Sequence, residues 1–157
     1  MCGIFGYIGA KEAPPLILEG LRRLEYRGYD SAGIVVLNKT GVQIEKCIGK
    51  VDDLEKLFNQ KPIKGTTGLG HTRWATHGGV TDFNSHPHTD QSGDVAVIHN
   101  GIIENFDVIK KSLQARGHKF KSETDTEVLA HLIGVYLEKS KDIYEAVRLA
   151  LKDVVGA

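Results

Sequence analysis

The chain has little cysteine, proline or tryptophan: two, four and one residue respectively in 157. Two cysteines, Cys2 and Cys47, are too few for a small secreted disulfide scaffold, so a reducing cytoplasm is the expected compartment. An excess of one charge is also missing. Lys plus Arg and Asp plus Glu each number 20, so no net field draws in nucleic acid or an anionic membrane. Apolar runs such as Ile34 to Leu37 fall far short of a bilayer span. The N-terminus has no basic stretch followed by an apolar core, so no signal peptide is expected. Neither G-x-G-x-x-G nor a P-loop occurs, and no cofactor is expected. Internal repeats, low-complexity tracts and linkers are absent too.

What remains is ordinary for one soluble domain with a real core. Gly3 to Ile8 reads as a strand. Pro14 and Pro15 suit a helix entrance, with Leu16, Ile17, Leu21 and Leu24 as its apolar face. Residues 32–37 and 42–48 predict a hairpin turning at Asn38-Lys39-Thr40-Gly41. Asp52 and Asp53 suit a helix N-terminus ahead of Leu54, Leu57 and Phe58. A strand is expected over 66–72, and Gly78 to Gly93 reads as a long functional loop. Val95 to His99 predicts a strand ending at Asn100-Gly101. A helix over 105–116 should stop at Gly117, and Lys119 to Lys121 reads as a short strand. Thr124 to Glu127 has capping-box spacing, and Asp142 suits the cap of a last helix. The mixed order predicts an α+β or layered α/β domain.

Chemistry gathers first at Cys2. If Met1 is removed, Cys2 carries both a thiol and an α-amine. Their ordinary pKa values, about 8.5 and about 7.7–8.0, are close enough for the amine to accept the thiol proton. An N-terminal amine is a recognised activating base, and the thiolate is the nucleophile. Gly3 and Gly6 let backbone and substrate approach closely. Cys47, inside a predicted strand, reads as a small buried hydrophobe.

Other segments suggest binding groups, each with a plainer alternative. Arg73 lies just past a strand end, where a guanidinium could hold a carboxylate through paired hydrogen bonds or make a surface salt bridge. Asp125, ahead of a helix, could hold an ammonium or serve as an N-cap. Asn100-Gly101 could supply an amide and a backbone N–H to an oxyanion, or form an Asn-Gly turn. A hairpin would need a strand directly afterwards, yet Ile102 to Asn105 leads into a helix. Five of the seven histidines fall between His71 and His99, but His86-Pro87-His88 matches no standard zinc spacing and no metal is expected.

Five segments recur together in a known order: Cys2-Gly3-Ile4, Tyr26 to Gly33, His71 to Gly79, His99-Asn100-Gly101, and Ser122 to Glu127. The chain thereby resembles the N-terminal-nucleophile (class II) glutamine amidotransferases, and its wording is closest to the glucosamine-6-phosphate synthase family. Amidophosphoribosyltransferases usually carry glutamine at Tyr29 and tyrosine at Trp74, and asparagine synthetases carry proline at Tyr29. The resemblance implies a four-layer αββα sandwich and a glutaminase that forms a thioester on Cys2. Asn100 and Gly101 would form the oxyanion hole. Arg73 and Asp125 would clamp the glutamine carboxylate and ammonium. Trp74, Thr76 and His77 would belong to a loop closing over glutamine, with Arg27 and His86 as supporting residues.

It further implies that residues 1–157 are one glutaminase domain, incomplete at the C-terminus. Its partners would be glutamine and the sugar isomerase domains of a full enzyme acting on fructose 6-phosphate, with a homo-oligomer admitted. Two other readings stay open here: a non-catalytic truncated fragment, and a module serving another ammonia acceptor.

Overall fold

The structure is a computed structural model that describes residues 2–75 and 79–156. The chain forms two compact units, Met1–Pro87 and His88–Ala157. Both combine helices with antiparallel strands, so the α+β class expected of the sequence holds.

The first unit is built on a four-stranded antiparallel sheet. Its strands are β1 (Gly3–Ile8), β2 (Ser31–Asn38), β3 (Gly41–Ile48) and β4 (Thr67–Arg73), in spatial order β1-β4-β2-β3. The β2–β3 hairpin turns at Lys39-Thr40, where the Asn38 side chain accepts hydrogen bonds from the Thr40 amide at 2.8 Å and its hydroxyl at 2.6 Å. Two helices, α1 (Ala13–Leu24) and α2 (Val51–Gln60), belong to this unit. Pro14 and Pro15 occupy the first turn of α1, where their missing N–H groups cost nothing. Asp53 accepts the Lys50 amide at 3.2 Å and so closes the start of α2.

Side-chain alternation along the strands decides which residues enter the core. Phe5 and Tyr7 of β1 pack against a buried cluster that includes Ile17, Leu21, Ile34, Val36 and Leu54. Ile4 and Ile8 point the other way and stay exposed. Each fully buried Leu, Ile or Val of this kind contributes roughly 1.5–3 kcal/mol relative to exposure. Register then fixes the functional end of the sheet. Gly3 pairs with Thr72, and Ser31 pairs with Arg73. The start of β1, the end of β4 and the start of β2 therefore meet at one end.

The second unit has three helices, α3 (Phe106–Ala115), α4 (Asp125–Ser140) and α5 (Ile143–Asp153), and a two-stranded pair, β5 (His88–Thr89) with β6 (Ala96–Val97). Its core gathers Val95, Ile103, Leu129, Leu132, Ile133, Ala146 and Ala150. α4 is buried throughout Thr126–Gly134, as befits a central helix. Gly117 takes φ 91° after α3, the left-handed conformation that ends helices at glycine. The Asp142 carboxylate accepts from the Tyr144 and Glu145 amides at 2.8 and 3.2 Å, capping α5 as expected.

Several local expectations fail. The long loop contains β5, and the strand expected over 95–99 shrinks to two residues. Lys119 to Lys121 is not a strand. Its amides are taken by side chains instead: Lys119 donates to Gln91 at 2.9 Å and Lys121 to Glu127 at 2.7 Å. The capping box at α4 does not close on Thr124, because the Glu127 carboxylate turns to Lys121 and Ser122. A 3-10 turn over Glu25–Arg27 was not anticipated.

Candidate active site

Cys2 is half-buried at the head of β1, a thiol beside the end of β4. The Trp74 N–H donates to its Sγ at 3.2 Å, and Sγ lies 3.6 Å from the Trp74 carbonyl oxygen. The β1–β4 register produces this contact across 72 residues of sequence. The sulfur thus meets both the N–H and the carbonyl oxygen of Trp74.

Arg73, the last residue of β4, is 4% exposed. One of its guanidinium N–H groups donates to the Gly79 carbonyl at 3.2 Å, and the Asn84 amide donates to the same oxygen at 3.0 Å. Burial pushes the guanidinium pKa down, against the pull of Cys2 and Asp30. The group stays cationic, since arginine does not lose its proton in proteins.

The segment Gly28-Tyr29-Asp30 underlies this corner. Asp30 donates its amide to the Arg73 carbonyl at 3.0 Å, and its carboxylate accepts the Ala75 amide at 2.8 Å. Tyr29 meets Trp74 edge to face, with ring centroids 5.5 Å apart. Arg27 is half-buried at the end of the 3-10 turn that leads into Gly28. His86 is 7% exposed, and its ring lies 4.3 Å from that of His71. Cys47 is buried, and burial, helped by Asp53 and Asp82, raises its thiol pKa to about 11. It is an inert packing thiol, as expected.

In the second unit, Asn100 and Gly101 stand exposed in the loop after β6. Asp125 opens α4, and its carboxylate accepts the Ile103 amide at 2.8 Å. That bond ties the expected ammonium ligand to the loop that carries the expected oxyanion donors. The loop is held from its other side as well: Glu104 donates its amide to Val155 at 2.8 Å, and Asn105 donates its side-chain amide to the Asp153 carbonyl at 2.8 Å. Behind Asp125, Thr124 Oγ1 lies 3.0 Å from His88 Nε2 and 2.9 Å from Ser122 Oγ.

Cys2, Arg73 and Trp74 are thus gathered in the first unit, and Asp125 joins the Asn100-Gly101 segment in the second. Thr76 and His77, expected in the closing loop, lie outside the described residues, as does Met1. Two features had no forecast from the sequence. The Trp74 donor is a backbone group, and every residue type but proline carries one, so it leaves no signature. Asp30 sits inside a quoted motif, but its reach to Ala75 depends on strand pairing that composition does not reveal.

Comparison with known proteins gives these residues a family context. Residues 51–148 match the family described as "Glutamine amidotransferase domain". The whole chain aligns at 55% identity with glutamine–fructose-6-phosphate aminotransferase (isomerizing) of Thermus thermophilus, and at 51% with the protein of the same name from Clostridium tetani. It covers 26% of each of those proteins, so the chain spans about a quarter of the length of these relatives. Among solved structures, the glutamine phosphoribosylpyrophosphate amidotransferase of B. subtilis, complexed with ADP and GMP, matches with TM-score 0.82 at 30% identity. A structure titled as the allosteric regulatory enzyme of purine biosynthesis matches with TM-score 0.84 at 31% identity. Each match covers all of this chain and 34% of the other. These likenesses bear out the α+β sandwich class expected of the sequence.

Proposed function

Because the chain belongs to the glutamine amidotransferase domain family, we propose that it hydrolyses the side-chain amide of glutamine through a thioester on Cys2. The observation that carries the reading is the Trp74 N–H donating to Cys2 Sγ at 3.2 Å, beside the buried cation of Arg73. With Met1 removed, the Cys2 α-amine takes the thiol proton. The thiolate attacks the carboxamide carbon, and the developing oxyanion is met by Asn100 and the Gly101 N–H. The carbon–nitrogen bond breaks, the amine returns the proton, and ammonia leaves. Water then attacks the thioester, the carbon–sulfur bond breaks, and glutamate and the thiol are released.

Arg73 holds the substrate carboxylate and Asp125 its ammonium. Trp74, beside the thiol, covers the bound substrate, and covering it keeps water from the ammonia. Arg27 and His86 support the cysteine corner. Residues 1–157 act as one glutaminase module. In a longer protein like the aminotransferases above, the ammonia would pass to fructose 6-phosphate on sugar isomerase domains. Among the described residues no helix is long and apolar enough to cross a membrane, and a cytoplasmic setting suits the reduced cysteines.

The test is release of ammonia and glutamate from glutamine by the untagged chain, with Cys2→Ala as the control. Loss of release in C2A is expected. Wild-type release in C2A would refute the mechanism.

A further inference from the structure

We propose that Asp30 is a positioning residue for Cys2, locking the Arg73-Trp74-Ala75 backbone so that the Trp74 N–H stays aimed at the sulfur. The proposal rests on Cys2 being the reactive thiol. Trp74 lies just beyond the sheet, where β4 has ended and ladder hydrogen bonds no longer hold the chain. Asp30 replaces them. Its amide donates to the Arg73 carbonyl at 3.0 Å, and its carboxylate accepts the Ala75 amide at 2.8 Å. The two bonds bracket Trp74, whose own N–H is left pointing at Cys2 Sγ at 3.2 Å.

Asp30 is itself anchored. Its carbonyl accepts the Gly49 amide at 2.9 Å, and the next residue, Ser31, pairs with Arg73 in the sheet. Gly28 completes the grip from beneath. A Cβ there would stand 2.8 Å from the Arg73 carbonyl carbon and 2.9 Å from the Trp74 nitrogen, so only glycine lets the two segments lie this close. Cys2 and the Asp30 carboxylate both act electrostatically on the Arg73 guanidinium at this corner. Removing the lock would turn the Trp74 N–H away from the sulfur.

The experiment measures the rate of Cys2 alkylation by iodoacetamide at pH 7 on the native chain, with peptide mapping. Protection of Cys47 reports the fold in every variant. Asp30→Ala should slow Cys2 by about tenfold, the loss of about one hydrogen bond to the sulfur. Asp30→Asn keeps an acceptor for the Ala75 amide and should stay near the wild-type rate. A wild-type rate in D30A, equal slowing in both variants, or acceleration in both would overturn the proposal. Should D30A expose Cys47, Gly28→Ala decides: slowed alkylation supports the lock, and a wild-type rate sinks it. Alkylation needs no glutamine, so its failure is distinct from a failure of glutamine hydrolysis.

Discussion

Glu127 Oε2 accepts hydrogen bonds from both the amide and the hydroxyl of Ser122, each at 2.6 Å. Its Oε1 accepts the Lys121 amide at 2.7 Å and lies 3.7 Å from His131 Nε2. Burial alone would raise this carboxyl, but the neighbouring His131 ring and the bonds from Lys121 and Ser122 outweigh it and hold the pKa at about 2, against an ordinary 4.5. The folded-state pKa is depressed, so the stabilisation is complete above about pH 4.5 and is lost as pH falls toward 2. The difference is on the order of 3 kcal/mol. Urea titrations at stepped pH should show wild-type stability falling across that window. Glu127→Gln should be less stable at pH 7 and should lack that part of the slope. An identical slope in both would contradict the assignment.

The two cysteines should differ sharply in reactivity. Cys47 is 8% exposed with its pKa raised to about 11, so at neutral pH it is almost wholly the unreactive thiol. Cys2 is half-buried and accepts an N–H at its sulfur. Native chain treated with iodoacetamide at pH 7.5 should gain one adduct, mapped to Cys2. In denaturant it should gain two. Rapid double labelling of the native chain would show that Cys47 is accessible after all.

Asp142 tests the second unit without touching the proposed chemistry. Its carboxylate satisfies two amides at the start of α5. Asp142→Ala should cost about 1 kcal/mol, the usual loss for an N-cap, while Asp142→Asn should recover most of it. Denaturant midpoints would read both values. No change in D142A would mean that α5 does not depend on its cap.

Legibility from the sequence followed the range of the interaction. The first unit was readable because its strands are bounded by turns and its helices carry apolar faces with local start signals, as at Pro14 and Asp53. The sheet order was not readable, since placing β4 between β1 and β2 is a long-range choice that leaves no local trace. Lys119 to Lys121 reads locally as a strand yet is none for the same reason, because Gln91 and Glu127 claim its amides from elsewhere. At the site, Cys2 announced itself through its position in the chain. The donor that faces it did not, because a peptide N–H is anonymous until folding aims it.

Arg73 and Asp125 are proposed to hold opposite ends of one substrate, which gives a test that separates binding from scaffold damage. Arg73→Ala should lower kcat/KM for glutamine by about a hundredfold, within the 2–5 kcal/mol typical of a truncated, hydrogen-bonded charge pair. Lysine should restore little, since it lacks the planar fork that matches a carboxylate. The same R73A change should cost much less with 4-aminobutanamide, which is glutamine without its carboxylate, the remaining loss coming from the missing cation beside Cys2 and the broken bond to Gly79. Asp125→Ala should behave in mirror image, costing more with glutamine than with glutaramate, which lacks the ammonium, the loss common to both coming from the broken bond to the Ile103 amide. A variant that merely loosened the fold would lose activity on every substrate alike. Equal losses on the full and trimmed substrates would therefore remove both residues from substrate binding, whatever the fate of Cys2.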